Sequence, residues 1–173
     1  MKRDLLAMGL AAANLLVAVP LAAAEDVELT TRVSGVVESV LVEPGQRVAK
    51  GSVLLRLDDT VLRARLDEAT AEAARAQADA DDAGREQGRA QELFERTVSS
   101  SSELEAAALR LARAQAALAA AQARLAIARR NLADAELRAP FDGVVKSVPG
   151  APGSVVAADC QPRTLVVLDR TRR

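Results

Sequence analysis

The chain has 173 residues, 50% of them hydrophobic and 27% charged, with a formal net charge of -1. That length allows one domain, or one small domain with an appendage, and the neutral balance argues against nucleic acid as a partner, since phosphate binding needs a basic surplus. There is no His, Trp or Tyr, and the aromatics are Phe94 and Phe141, so the commonest general base, the commonest metal ligand and any base-stacking surface are missing.

In chain order, the first feature is an address. MKRD supplies a short charged region, LLAMGLAAANLLVAVPLAAA runs apolar from Leu5 to Ala24, and Ala22, Ala23 and Ala24 supply the small residues of a cleavage site. Residues 1–24 are therefore expected to be a signal peptide cleaved before Glu25, which exports the chain. The alternative is an uncleaved anchor, because the apolar run is as long as a membrane-spanning helix needs to be. No cysteine follows it, which argues against a bacterial lipid anchor.

Residues 25–59 are rich in Val and Leu, punctuated by Gly35, Pro44-Gly45 and Gly51. VVESVLV and VLLRL read as short strands, with PGQ and AKG as turns. At Asp58-Asp59-Thr60 the composition changes to helix-capping chemistry.

Residues 60–139 contain no proline and are dominated by Ala, Arg, Glu, Gln and Leu, all strong helix formers. TVSSSS, with a tip at about 97–101, divides them into two arms, each about 36 residues or 55 Å long. In the second arm Leu104, Leu111, Leu118, Leu125 and Leu132 recur in a heptad rhythm, and Ala107, Ala114, Ala121, Ala128 and Ala135 follow each by three. This is an a/d seam. The first arm answers with Leu62, Leu66, Ala69, Ala73, Ala76, Ala80, Ala83, Gln87, Ala90 and Phe94. Leucines on alanines let two helices approach closely, and matched arms with a short tip predict an antiparallel hairpin rather than a free coiled-coil dimer. Arg110, Arg113 and Arg124 fall on its charged flanks, where neighbouring copies can reach them. Gly84 and Gly88 weaken the first arm by about 1 kcal/mol each relative to Ala.

Pro140 cannot continue a helix, and the Val-rich texture returns over 140–173 in FDGVVKSV, GSVVA and TLVVLD. GVVKSVPGAPG, from Gly143, aligns without a gap on GVVESVLVEPG, from Gly35, and shares its Gly, Val, Val, Ser, Val, Pro and Gly. The two stretches are expected to be halves of one small β-domain into which the hairpin is inserted. The expected fold class is α+β: a β-sandwich assembled from two sequence halves, with a long antiparallel coiled-coil hairpin between them. The lone Cys160 excludes an internal disulfide and reads either as a small loop residue or as a thiol able to crosslink two copies.

GVVESVLVEPGQRVAKGSVLLRLDD and LRAPFDGVVKSVPGAPGSVV, with the hairpin between them, resemble the two halves of the lipoyl/biotinyl-like domain of periplasmic adaptor (membrane fusion, HlyD-like) proteins of bacterial efflux systems. The APFDGVV run is the most specific element. The resemblance covers about Glu28 to Asp169, and it implies a non-enzymatic adaptor in the periplasm that needs no cofactor. It further implies an inner-membrane transporter and a TolC-type outer-membrane channel as partners, and a homo-oligomer, commonly a hexamer. Family members often carry at the tip an Arg, three residues, a Leu, six residues and a Ser, used to engage the channel. Arg89, Leu93 and Ser100 fall on that spacing, with Glu103 following. Each also has a plainer role: Ser100 and Glu103 as a capping box, Leu93 as a seal on the seam, Arg89 as a solvated charge.

Relatives usually continue into a β-barrel and a membrane-proximal domain, and this sequence stops at LDRTRR, which leaves a minimal adaptor, a partner-completed one and a truncated scaffold as expectations. The competing class is a biotin or lipoate carrier. Its acceptor lysine belongs in the turn where the hairpin is inserted, and the lysines are Lys2, Lys50 and Lys146. After residue 24 there is neither Met nor His, so a metal-carrying role lacks ligands.

Overall fold

A computed structural model describes residues 26–97, 100–158 and 163–170. The expected signal peptide and Cys160 lie outside the described residues. The elements in chain order are β1 (Asp26–Leu29), β2 (Gly35–Val40), β3 (Arg47–Val48), β4 (Val53–Leu57), α1 (Thr60–Glu95), α2 (Ser101–Ala133), β5 (Glu136–Arg138), β6 (Gly143–Ser147), β7 (Val155–Val156) and β8 (Val166–Arg170).

The strands form two four-stranded antiparallel sheets, in the orders β1-β8-β6-β3 and β5-β4-β2-β7. Each sheet therefore takes two strands from before the hairpin and two from after it. The repeat seen in the sequence is a pseudo-twofold exchange. Gly35 and Val36 pair with Val156 and Val155, and their counterparts in the second copy, Gly143 and Val144, pair with Val48 and Arg47. The register shift between Val37 and Ser39 in β2 recurs between Val145 and Ser147 in β6. Glu38 and Lys146 thus occupy equivalent bulges, which increase local twist. Lys146 pairs with Asp26 and ties β6 to β1.

Leu54, Leu55, Leu165, Val166 and Leu168 are fully buried between the sheets, with Val37 and Val145 beside them. Successive inward residues at Leu54 and Leu55 break the two-residue alternation of a strand, and a bulge between Val53 and Leu55 in the pairing with β5 accounts for it. The APFDG run is structural in detail. Ala139 is buried and exchanges backbone hydrogen bonds with Ser52 and Gly51. The Asp142 carboxylate accepts from the Lys50 amide at 2.7 Å, fixing the AKG turn. A side chain at Gly143 would stand 2.4 Å from the Asp169 carbonyl oxygen.

The hairpin is antiparallel and keeps its seam. All five leucines and five alanines expected along the second arm are buried or half-buried, as are nine of the ten first-arm positions. Phe94 departs from the expectation: it is 41% exposed, because α1 ends one residue later and no opposing turn remains to cover it. A second departure is at the other end. Composition extends the hairpin to Ala139, but α2 stops at Ala133 with Asp134 as its C-cap. Residues 136–138 form β5 on β4 instead. Good helix formers lose here because Leu57 donates to the Ala135 carbonyl and the sheet takes the backbone. Leu62, Ala135, Ala139 and Leu132 join the sandwich core, so the hairpin root and the sheets share one apolar interior. At the entry to α1 the Asp59 side chain makes no capping bond. It forms a bidentate pair with Arg63 at 2.7 Å, and Asp58 accepts from the Thr60 amide and hydroxyl.

Candidate functional site

The tip is built by two helix ends. α1 closes at Arg96, whose amide donates to the Glu92 carbonyl at 3.2 Å, and Thr97, whose amide donates to the Phe94 carbonyl at 2.9 Å, turns the chain with φ 62°. α2 opens at Ser100, in extended conformation, with a complete capping box. The Ser100 hydroxyl accepts from the Glu103 amide at 3.4 Å, and the Glu103 carboxylate accepts from the Ser100 amide at 3.2 Å. Ser102 Oγ lies 2.9 Å from Ser100 Oγ. The box satisfies backbone amides that a helix start otherwise leaves without partners.

Arg89 and Leu93, one helical turn apart on α1, fall on one face. They line an open groove with Glu86 from α1 and Ser102, Glu103 and Arg110 from α2. Leu93 is 45% exposed, so it does not seal the seam. Arg89 is exposed and makes no ion pair among the described residues. The structure thus brings Arg89 and Leu93 together and leaves Ser100 at the apex, outside the groove lining, with its hydroxyl engaged in the cap. Ser102 takes the hydroxyl position in the groove.

Arg110, expected as a free flank charge, instead pairs with Glu86 across the hairpin at 2.6 Å. The sequence carries no signal for that pair, since its members lie on different helices. Phe94, exposed next to Leu93, reads in the sequence only as a seam residue. An exposed Leu, an unpaired guanidinium and hydroxyls at a blunt helical end can pack end-on against other helices. The guanidinium can donate to carbonyls left open at a helix terminus. Among the described residues no group of three or more His, Cys, Asp and Glu is placed to hold a metal ion, and no helix is long and apolar enough to cross a membrane.

Residues 25–168 match the family model described as RND MFP, barrel-sandwich hybrid domain. The efflux pump periplasmic linker BepF of Brucella suis is 37% identical over 145 residues, which are 84% of this chain and 35% of that protein. Among solved structures, the MacA–MexA chimera carrying the Pseudomonas aeruginosa MexA α-hairpin superposes with a TM-score of 0.65 at 27% identity, covering 84% of this chain and 46% of the other. ZneB of Cupriavidus metallidurans shares the fold at 23% identity and TM-score 0.60, over 83% of this chain and 60% of its own. The chain spans about a third of the length of the curated relative it matches. With the exchanged sandwich and inserted hairpin in place, the chain belongs to the membrane fusion protein family of RND systems through its barrel-sandwich hybrid domain.

Proposed function

We infer that the protein is a non-enzymatic periplasmic adaptor of an efflux system. Its hairpin tip docks a TolC-type outer-membrane channel, and the assembled adaptor links that channel to an inner-membrane transporter. The observation that carries the reading is the tip itself: a hairpin about 50 Å long, rooted in the sandwich core, ends in exposed Leu93 and Phe94 beside the unpaired Arg89. Apolar residues exposed at the far end of a rigid arm have no folding role there, and such patches mark interaction sites. Arg89 and Leu93 are the contact residues, and Ser100 holds the apex that presents them. Copies sharing one channel form a homo-oligomer, a hexamer by family analogy.

The test is in-cell photo-crosslinking from a probe at Leu93, with a probe at exposed Ala119 in mid-hairpin as control. Adducts to an outer-membrane channel from Leu93 and none from Ala119 are expected. Labelling of the protein's own copies alone, with the protein exported and folded, would overturn tip docking.

A further inference from the structure

Exposed apolar side chains gather at the root of the hairpin as they do at its tip. Val61 and Ile127 are each 61% exposed and Val36 is 41% exposed. All three line two adjoining hollows of about 530 and 660 Å³ that share Leu62, Arg65 and Asn131. Together the hollows form one groove. It leaves the sandwich at residues 32–36, turns the corner at the start of α1 and runs between the arms as far as Glu72 and Arg124. Val155 pairs with Val36 across the sheet and extends the exposed apolar strip. Single exposed apolar residues are ordinary, but a contiguous set marks a binding surface.

The charges around the groove do not cancel. Thr31 and Val33 are buried and hydrogen-bonded to each other through the Thr31 hydroxyl, which turns Arg32 outward between them. Arg32, Arg65 and Arg124 line the groove and make no ion pair among the described residues. Of the carboxylates on the lining, Asp58 is engaged by the Thr60 amide and hydroxyl and Glu72 by Arg75, which leaves Glu68. The Asn131 amide, half-buried where the two hollows meet, has no hydrogen-bond partner among the described residues.

We propose that the groove binds a free single-chain amphipathic anion, an acyl chain ending in a carboxylate, sulfate or phosphate. The head lies between Arg32 and Arg65, within reach of the Asn131 amide, where guanidinium donors make strong charge-assisted hydrogen bonds. The chain covers Leu62, Ala69 and Ile127. Both hollows have the size of small-molecule sites. A neighbouring helix would lie along one arm, whereas this groove bends from a loop of the sandwich onto both arms, a path that suits a flexible chain. Arg32 belongs to the sandwich, Arg65 to α1 and Asn131 to α2, so one bound head ties all three and steadies the angle at which the hairpin leaves the domain. The groove is remote from the tip, and the proposal does not depend on channel docking.

The test is isothermal titration calorimetry of the purified full-length chain with dodecanoate below its micelle concentration. One saturable site per chain is expected. Acetate, which lacks the chain, and dodecyl maltoside, which lacks the charge, should each bind at least about tenfold more weakly. Arg32→Gln/Arg65→Gln should weaken dodecanoate at least about tenfold, and Ile127→Ser about threefold. Arg113→Gln, outside the groove, should leave binding unchanged, and circular dichroism checks that each variant keeps its helicity. A fatty acid carrying a photoreactive diazirine should label Val61 or Ile127 rather than Leu93 and Phe94 at the tip. No saturable binding, wild-type affinity in both the arginine and Ile127 variants, equal binding of dodecyl maltoside, or labelling at the tip would each overturn the proposal. Capture by vesicles of anionic phospholipid without affinity for monomeric dodecanoate would overturn it too, in favour of a membrane surface.

Discussion

The amide of Gly45 donates to the carbonyl of Val145 at 2.7 Å, and its counterpart in the second copy of the repeat, the amide of Gly153, donates to the carbonyl of Val37 at 2.8 Å. The reverse bonds match as well: Val145 donates to Gln46 and Val37 to Ser154, both at 2.9 Å. Each Pro-containing turn of the repeat therefore latches the strand that opens the other copy of the motif, β6 or β2, so neither half closes without its twin. This reciprocity explains why so short a chain repeats one motif, and why the hairpin can be inserted between the copies without separating them. The turns hold their glycines at φ 87° and 82°, a region that costs other residues about 1–2 kcal/mol.

Glycine replacements in the sandwich are predicted to rank by mechanism. Gly45→Ala and Gly153→Ala strain only the backbone, since no atom lies within 4 Å of the added carbon, and each should cost about 1–2 kcal/mol. Gly143→Ala drives a methyl into the Asp169 carbonyl and must part β6 from β8, costing at least about 3 kcal/mol. Calorimetry is the suitable readout because the chain has no Trp or Tyr to report on the sandwich. Equal losses at Gly143 and Gly45 would show that the close approach is relieved elsewhere.

Gly88→Ala is predicted to stabilise the hairpin by about 1 kcal/mol. Gly88 lies inside α1, and an added carbon meets nothing within 4 Å, so no bend or tight crossing requires it. At Gly84 the nearest atom, on Leu111, is 3.9 Å away, an ordinary contact, and the gain there should be similar. A loss of helicity by circular dichroism, or of melting temperature, in Gly88→Ala would reveal a contact that α1 makes only in an assembly.

At the tip, capping and docking separate by substitution. Ser100→Ala removes the cap and should cost about 1 kcal/mol, whereas Ser100→Thr or Ser100→Asp keeps it. If Ser100 acts by holding the apex, both conservative variants retain crosslinking from the tip and Ser100→Ala weakens it. Arg89→Ala and Leu93→Ser touch no cap, so they should leave stability within about 0.5 kcal/mol while reducing channel capture. Docking that survives loss of both side chains would remove them from the contact.

How much of this is legible in the sequence follows from the length of each signal. The seam repeats five times, so its residues can be read individually, from Leu104 through Leu132. Ala135 reads as its last member and is buried, but in the sandwich core rather than in a helix, because composition does not show where a sheet will claim the backbone. β1, β3 and β5, of four, two and three residues, are too short to carry an alternation and exist through their partners. The repeat announces two halves, but not that they exchange strands, which is information about pairing rather than composition. At the tip, Arg89 and Leu93 stand out only through the resemblance to the family's tip spacing, whereas the groove needs α2 folded back to contribute Ser102 and Arg110.

The hairpin root should weaken in acid through Asp58 and Asp59. The Thr60 hydroxyl, followed by the Thr60 amide, holds the Asp58 carboxyl below its ordinary value of 3.8. The Arg63 guanidinium, bonded to both Asp59 oxygens, lowers Asp59 in the same way. A carboxyl whose folded value is depressed binds protons less readily folded than unfolded. Its contribution is therefore complete above 3.8 and is lost as pH falls through the lower folded value. Thermal melting of wild type and of Asp58→Asn/Asp59→Asn, followed by circular dichroism from neutral pH down to about pH 2, should show the wild type higher at neutral pH. The gap should begin to close as pH falls below about 4 and finish closing only below the depressed folded values, where the wild-type carboxyls are protonated and both proteins carry neutral side chains. A gap that stayed constant across that range would mean that the two aspartates act through shape alone, and that the arm is anchored by Leu62, Leu132 and Ala135 without help from its charged collar.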